Sequence, residues 1–367
     1  MAVISARAWR WLRRLALVLG AVVGTCLLVE ASVLLIFGEQ AKFPRRVVGT
    51  SYGVRTNVPN SHYRHKSAEV NVTFDINAQG MRARHDYAYA KPPGKQRIVS
   101  LGDSFTIGYE VQLDECFSSV LERELNAAGK PVEVLNAGVS GYSNAEECLL
   151  LERELLKYQP DLVLVSFYTN DLDDNVRTGL FALRGDQLVE TAQSYVPMGR
   201  LANFLNTNAV FQWLSEYSNA FVLLKERMTM LLKQSMVKKN EGAVAGEQEG
   251  VPRSAAILEE SKERLAAAIF ERIYATTRAR GVPLIVQVIP AYYPDQHALV
   301  DSFPRAYFDA TRPGLFVFAA KSILEPFMGK ERLYNSWDLS HGHWTAFSHA
   351  QSGKALAHLI LSEQLLE

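Results

Sequence analysis

The chain has 367 residues, of which 48% are hydrophobic and 21% are charged. This length allows one α/β domain of about 200–250 residues together with additional segments. Its 39 basic side chains are balanced by 39 acidic ones, so the formal net charge is zero. A neutral chain has no electrostatic footprint for nucleic acid, and we expect no nucleic-acid partner.

The first forty residues have the composition of a membrane anchor. Leu15–Phe37 is an apolar run in which Glu30 is the one ionisable side chain, and it is longer than the roughly 20 residues that cross a bilayer as a helix. Four arginines precede the run (Arg7, Arg10, Arg13 and Arg14), which predicts a cytoplasmic N-terminus. No clean small-residue cleavage site follows, so an uncleaved anchor is favoured over a cleaved signal peptide. We therefore predict that residues 1–40 form a cytoplasmic stub and a single-pass anchor in the inner membrane. The rest of the chain would be periplasmic.

Residues 41–95 contain short β-branched alternations separated by turn residues, and we predict a strand-rich region that we call the collar. From residue 96 onwards apolar strands alternate with amphipathic helices, which predicts a parallel sheet with right-handed crossovers. The predicted strands are Arg97–Leu101, Val132–Leu135, Asp161–Phe167 and Pro283–Ile289. The predicted helices are Phe117–Ala128, Ala145–Tyr158, Glu259–Arg280 and Ala346–Leu366.

The alternation is lost between residues 176 and 262, which predicts a helical insertion in the domain 96–367; we call this insertion the cap. Within the cap, Phe204–Met236 carries aromatic, Leu and Met residues at roughly helical spacing. We expect this stripe to pack on the core; contact with lipid or an acyl chain is the alternative. Residues 237–255 are polar and rich in Gly, Glu and Lys, which predicts a flexible stretch.

Each of the first three predicted strands ends in a polar motif. These motifs are Gly102-Asp103-Ser104, the stretch Asn136–Ser143, and Tyr168-Thr169-Asn170-Asp171. In an open parallel sheet, ligands bind beyond the carboxyl ends of the strands, so the three motifs should meet at one crevice. Each motif alone is ordinary loop chemistry, with Asp103 expected to brace the turn. Three such motifs in strand order predict a site.

These motifs resemble the first three sequence blocks of the SGNH, or GDSL, hydrolases. The resemblance implies a flavodoxin-like parallel sheet with helices on both faces. It also implies that Ser104 is the nucleophile and that the backbone N–H groups of Ser104 and Gly141 and the amide of Asn170 form an oxyanion hole. The segment Asn77–Arg82 is similar to the lead-in of exported bacterial members.

The fourth block of the family supplies the histidine that activates the serine, and here it has two interpretations. The stretch is Asp338-Leu339-Ser340-His341-Gly342-His343-Trp344-Thr345. Asp338 and His341 match the usual Asp-x-x-His pattern, whereas His343-Trp344-Thr345 matches the Asp-x-His-Trp-Thr pattern of some exported acyl-transfer relatives, with His341 at the position of the acid. Thr345 is a natural N-cap for the last helix, and this favours His343 as the base.

The resemblance predicts a membrane-anchored serine esterase that forms an acyl-enzyme on a small-molecule, glycan or lipid ester. Two alternatives remain: an O-acetyltransferase acting on a polysaccharide, and a binding protein that has lost the catalytic base. No phosphate-binding loop or metal-spaced Cys/His group is present, so we predict neither cofactor nor metal.

The acidic residues Asp171, Asp173 and Asp174 are expected in a solvated loop. Cys116 and Cys148 are expected as free core thiols rather than a disulfide, and His62, His65 and His85 are expected at the surface.

Overall fold

The computed structural model describes residues 6–40, 42, 46–67, 69–195, 199–244, 255–335 and 342–366. The helices are α1 (Ala6–Phe37), α2 (Ser104–Ile107), α3 (Phe117–Ala127), α4 (Asn144–Arg153), α5 (Asp171–Thr178), α6 (Gly199–Thr207), α7 (Ala209–Tyr217), α8 (Asn219–Val244), α9 (Ala255–Arg278), α10 (Ala320–Leu324) and α11 (Ala346–Ser362). The strands are β1 (Val47–Gly49), β2 (Arg55–Asn57), β3 (His62–Lys66), β4 (Asn71–Asp75), β5 (Gln96–Leu101), β6 (Val132–Asn136), β7 (Leu162–Phe167), β8 (Phe181–Arg184), β9 (Gln187–Glu190), β10 (Leu284–Val288), β11 (Ala291–Tyr293), β12 (Ala298–Val300) and β13 (Leu315–Ala319).

The main sheet has five strands in the order β6-β5-β7-β10-β13, and every neighbouring pair is parallel. Numbered along the chain, the spatial order is 2-1-3-4-5, which is the flavodoxin-like arrangement. The predicted fold class is therefore confirmed. In this arrangement the chain leaves β5 and β7 towards opposite edges of the sheet, so a crevice opens between the carboxyl ends of these two strands.

Helices cover both faces of the sheet, and this explains why its strands are apolar at consecutive positions. On β7, Val163 and Val165 pack with the core side chains of α4 and α9. The alternate residues Leu162 and Leu164 pack with those of α3 and α11 on the other face. Because strand side chains alternate between faces, this one strand contributes to two separate cores.

Three regions differ from the prediction. The fifth strand, β13, was not predicted. The helix predicted to end at Tyr158 is α-helical only as far as Arg153, the end of α4, and a 3-10 turn over Leu155–Tyr158 follows it. The cap begins with an antiparallel hairpin of β8 and β9 before its helices α6, α7 and α8. Helix α8 continues to Val244, so part of the stretch expected to be flexible is helical. Residues 245–254 of that stretch lie outside the described residues.

The apolar stripe of the cap was expected to pack on the core, and it does so only in part. Val222 is buried and Met236 packs against the main core, whereas Trp213, Met228 and Met230 expose 58%, 52% and 47% of their surface. Helical spacing identifies one face of a helix but not the material that covers it, so the prediction was wrong for the exposed part. The collar consists of two antiparallel hairpins, β1–β2 and β3–β4, and β1 packs against α6 of the cap.

Helix α1 is long and apolar enough to cross a membrane over Arg7–Phe37, and it is almost wholly exposed in the monomer. It contacts the rest of the protein through α8. The carboxylate of Glu30 accepts hydrogen bonds from the backbone N–H of Asn219 at 2.6 Å, from that of Ala220 at 3.1 Å, and from the Ser218 hydroxyl at 2.9 Å. The one ionisable side chain of the apolar run therefore caps the first turn of α8.

Candidate active site

Ser104 is the first residue of α2, immediately beyond the carboxyl end of β5. The turn between them is tight because Gly102 has no side chain: a Cβ at this position would lie 1.9 Å from Thr106 Oγ1 and 3.0 Å from Ser166 Cβ. Glycine therefore allows the strand to turn directly into the helix. The result is a half-buried serine at the edge of the sheet where the sequence predicts the site.

Asp103 braces this turn, as expected. Its Oδ1 accepts a hydrogen bond from the backbone N–H of Phe105 at 2.9 Å and so caps α2. Burial raises the pKa of Asp103 to about 6, although the hydrogen bond from Phe105 acts in the opposite direction. The carboxyl group is buried and caps α2, which agrees with a structural role.

His343 Nε2 lies 2.8 Å from Ser104 Oγ, within hydrogen-bonding distance. The imidazole is held by the rings of Phe105 and Tyr109, whose centroids lie 5.2 Å and 5.3 Å from its own. Its backbone carbonyl accepts a hydrogen bond from the N–H of Asn335 at 2.9 Å. Thr345 caps α11 through the N–H of Ser348, as the sequence predicts.

Asp338 and His341, the other residues of the fourth block, lie within 336–341, outside the described residues. Of the two histidines proposed as base, His343 is thus the one whose ring the structure describes, and it contacts the serine. The roles of Asp338 and His341 stay predictions.

Gly141 follows β6 and has a left-handed backbone conformation with φ of +74°, which glycine adopts without strain. Its carbonyl oxygen accepts hydrogen bonds from Arg55 Nη2 at 2.8 Å and Arg177 Nη2 at 3.0 Å. Arg55 also forms a two-pronged ion pair with Glu146. These buried guanidinium groups fix the loop that carries Gly141, and charge-assisted hydrogen bonds of this kind are among the strongest in proteins.

Asn170 occupies the N-cap position of α5 beyond the end of β7 and is half-buried, and its side chain makes no capping hydrogen bond. Its Nδ2 donates a hydrogen bond to Asp174 Oδ2 at 3.1 Å, which leaves the second amide hydrogen for a ligand. Burial acts to raise the pKa of Asp174, but Arg177 and Lys233 outweigh burial and keep the pKa below its ordinary value. Asp174 is therefore ionised at neutral pH and orients the amide of Asn170.

The three predicted motifs follow β6, β5 and β7, which are adjacent strands in the sheet. The carboxyl ends of parallel neighbours lie at one edge, so the sheet brings Gly141, Ser104 and Asn170 to the same side of the molecule. Ser104 and Asn170 flank the crevice at the point where the strand order reverses.

The acidic residues after Asn170 are not a solvated loop. Asp171 and Asp174 are buried, whereas Asp173 is exposed and pairs with Lys262 at 2.7 Å. Asp171 Oδ2 accepts hydrogen bonds from the N–H of Tyr168 and from the Asn144 amide, which is also bonded to Glu147. Burial raises the pKa of both Asp171 and Glu147 well above the ordinary values, and repulsion from Glu147 adds to the rise for Asp171 while repulsion from Asp103 and Glu146 adds to it for Glu147. Within the described part of the chain, no group of His, Cys, Asp and Glu has a metal-binding arrangement.

Glu110 is a residue of this region that the sequence reasoning missed. It is 3% exposed, and its Oε2 accepts a hydrogen bond at 2.7 Å from Asn335 Nδ2. The backbone N–H of the same asparagine donates to the carbonyl of His343. Burial raises the pKa of Glu110, and the proximity of His343 opposes this rise. The available signal was a single acid in the apolar stretch that follows Ser104, Phe105–Val111.

His65 was expected at the surface but is fully buried, and its Nε2 lies 3.8 Å from Glu110 Oε1. Burial lowers the pKa of His65 to about 3, so the ring is neutral and does not compete with His343 for the charge of Glu110. The three cysteines are free, as expected, with Cys116 and Cys148 buried.

Residues 100–228 match the model of the GDSL-like Lipase/Acylhydrolase family. These residues include Ser104, Gly141 and Asn170, so the similarity to this family covers three of the predicted site residues.

Among individual proteins, an arylesterase of Vibrio mimicus is 30% identical over 82 residues, which is 22% of this chain. The matched segment spans 41% of that enzyme's length. The solved structure of TesA covers 74% of this chain at 12% identity with a TM-score of 0.37, and the match includes 100% of that chain. LAE5, an α/β hydrolase from the metagenome of Lake Arreo, covers 76% at 14% identity with a TM-score of 0.40, and the match includes 99% of that chain. TM-scores this low support no conclusion about the reaction.

Proposed function

We propose that this protein is a serine ester hydrolase in which Ser104 is the nucleophile and His343 is the general base. The observation that carries the proposal is the distance of 2.8 Å between Ser104 Oγ and His343 Nε2. A serine hydroxyl becomes an effective nucleophile when an imidazole in hydrogen-bonding contact removes its proton. The arylesterase relative and the family match agree with ester bonds as the target.

In the proposed reaction, Ser104 Oγ attacks the ester carbonyl carbon while its proton passes to His343 Nε2. The carbonyl oxygen of the resulting tetrahedral intermediate receives hydrogen bonds from the N–H groups of Ser104 and Gly141 and from Asn170 Nδ2. Removing one such donor typically costs about 3–4 kcal/mol of transition-state stabilisation. The intermediate collapses as His343 protonates the leaving alcohol, and water then hydrolyses the acyl-enzyme with His343 again acting as base.

The positive charge that His343 acquires during these steps needs a nearby acid. Asp338 is our proposed partner from the sequence pattern, and His341 stays the alternative base. Glu110 supplies a second negative charge from inside the fold, through the Asn335 contact described above. Such a group acts on the imidazole and not on the substrate, so we propose it as a positioning residue.

We also propose that α1 anchors the protein in the inner membrane and leaves the hydrolase domain in the periplasm. The supporting observations are the exposed apolar surface of α1 and the four arginines that precede its apolar run. Accessible substrates at this location are small-molecule esters and the glycan or lipid esters of the cell envelope.

The test combines labelling of the serine with hydrolysis. The full chain should react with a fluorophosphonate probe and release p-nitrophenol from p-nitrophenyl acetate. Ser104→Ala should abolish labelling, and both Ser104→Ala and His343→Ala should lower kcat on the order of 10⁴-fold or more. The matched controls are Ser119→Ala on α3 and His358→Ala on the exposed face of α11, which should keep wild-type rates.

Two results would reject this assignment. A wild-type protein that neither labels nor hydrolyses would favour a binding protein with the same fold. Acetyl groups that appear on an added oligosaccharide faster than free acetate would favour the transferase, the alternative that the His343-Trp344-Thr345 pattern raises.

A further inference from the structure

The cap forms an open groove of about 480 Å³ between its helices α6–α8 and strand β1 of the collar, which we call the cap groove. Its longest wall is one face of α8, where Phe221, Leu224, Met228, Leu232 and Met236 line it at intervals of three or four residues. At 1.5 Å per residue, the groove follows α8 for about 22 Å. The groove is therefore elongated, and this row of α8 side chains is apolar, while Lys225, Glu226, Thr229 and Lys233 of the same helix also line the groove.

One end of the cap groove reaches the candidate active site. Arg55, Arg177 and Lys233 line this end. The two arginines are those that donate to the Gly141 carbonyl, and a Cβ placed on Gly141 would lie 3.7 Å from Lys233 Nζ. The groove thus ends against the loop that carries the proposed oxyanion donor. Ser104 and His343 do not themselves line the groove, so a chain lying in it would have one terminus next to the Gly141 loop, from which its ester group would extend to Ser104.

The other end lies at the first turn of α8. Phe221 lines the groove there, one residue after the Asn219–Ala220 pair that binds Glu30 of α1. The groove therefore extends between the apolar helix α1 and the candidate active site. Exposed apolar side chains of the cap lie on the same helices: Leu201, Phe204, Val210, Trp213, Tyr217 and Leu224.

We propose that the cap groove binds the linear acyl chain of the ester substrate and places its carbonyl at Ser104; this inference rests on the proposed hydrolase function. A two-carbon acetyl group would leave the groove empty. Lys225, Glu226 and Thr229 also line the groove, but its long row of apolar side chains would leave buried sugar hydroxyls without the hydrogen bonds that they require. An extended hydrocarbon chain matches both the length and the chemistry of the lining, with the cationic end near the polar ester. The substrate class is therefore a lipid-like ester.

The first experiment compares esters of two acyl lengths with the full chain in amphipol. Wild type should hydrolyse p-nitrophenyl decanoate with a higher kcat/KM than p-nitrophenyl acetate. Leu232→Trp narrows the groove and should lower kcat/KM for decanoate by about tenfold or more while leaving acetate within about twofold. The control is Leu231→Trp, on the same helix but outside the groove and 65% exposed, which should change neither substrate.

A binding measurement separates this inference from the hydrolase proposal. The Ser104→Ala protein should bind cis-parinaric acid saturably, with fluorescence as the signal, and adding Leu232→Trp should weaken binding by about tenfold. Lack of Ser104-dependent hydrolysis of either ester would reject the hydrolase function, whatever the binding result. Hydrolysis with equal effects of the two tryptophan variants would overturn the groove assignment and leave the hydrolase intact. Failure to bind the fatty acid would also overturn the groove assignment. This result is expected if another segment of the chain or a second copy of the protein fills the groove.

Discussion

Glu110 and His343 are joined by a buried network although they lie more than two hundred positions apart in the chain. A carboxylate close to an imidazole stabilises the imidazolium that forms during catalysis. We expect Glu110→Gln, which keeps the size and the acceptor for Asn335, to lower kcat and to move the acidic limb of the kcat/KM profile to lower pH. The measurement is p-nitrophenyl acetate hydrolysis between pH 5 and 9.

The control for this change is Glu331→Gln, at an exposed position, which should leave the profile unchanged. A loss of activity that is uniform across pH, with no displacement of the limb, would indicate that Glu110 only supports the fold. Glu110→Asp should restore part of the wild-type profile if the charge is what acts on the ring.

Glu147 and Asp171 form a buried acidic pair behind the site, and the pKa of each is raised, first by burial. A carboxyl group with a raised folded-state pKa gives its full stabilisation below its unfolded pKa and loses it as pH rises through the folded value. Each pKa unit corresponds to about 1.4 kcal/mol. We therefore expect Glu147→Gln to raise the unfolding temperature relative to wild type, and to do so more at pH 8 than at pH 4.5.

Thermal unfolding of the full chain at the two pH values tests this. Glu331→Gln again serves as the surface control and should show no pH-dependent difference. A variant that loses more stability at pH 8 than at pH 4.5 would mean that the Glu147 carboxylate is stabilised when charged, contrary to this account.

At the scale of elements, the contact between α1 and α8 includes several hydrogen bonds to one side chain, Glu30. Glu30 satisfies backbone N–H groups at the start of α8 that no intrahelical carbonyl reaches. Loss of a capping side chain costs about 0.5–2 kcal/mol. We expect Glu30→Ala to speed amide hydrogen exchange over the first turns of α8, measured with the full chain in nanodiscs.

Ser32→Ala is the matched control, because the Ser32 hydroxyl bonds within α1 to the carbonyl of Leu28. It should leave exchange in α8 unchanged. Unchanged exchange in the Glu30 variant would show that the first turn of α8 is held by other contacts.

At the scale of the whole molecule, the proposed anchor predicts where the protein is found. The chain should stay in the membrane fraction after alkaline carbonate washing, at the mass of the uncleaved polypeptide. Protease added to spheroplasts should remove the domain that follows α1, because the four arginines predict a cytoplasmic N-terminus. A soluble periplasmic form shortened near residue 40 would instead identify α1 as a cleaved signal.

The fold was predictable because apolar strands and amphipathic helices alternate regularly on either side of the cap. The edge strand β13 was missed since its residues alternate irregularly between buried and half-buried and continue into α10 without a turn signal. The convergence of Ser104, Gly141 and Asn170 was predictable because each follows a strand of one parallel sheet, whereas their roles came from the resemblance to the SGNH hydrolases and stay predictions. The contact of Glu110 with Asn335 and the burial of His65 arise from segments that are distant in the chain. Local sequence patterns therefore could not predict them.

Helix α8 also sets a distance. It binds Glu30 at Asn219 and carries Lys233, fourteen positions later, to the loop of Gly141. A helix of that length spans about 21 Å. With α1 in the bilayer, as we propose, α8 sets the separation between Glu30 of the anchor and the loop of Gly141. Esters held deeper in the envelope than this reach would escape the enzyme, however well they fitted its groove.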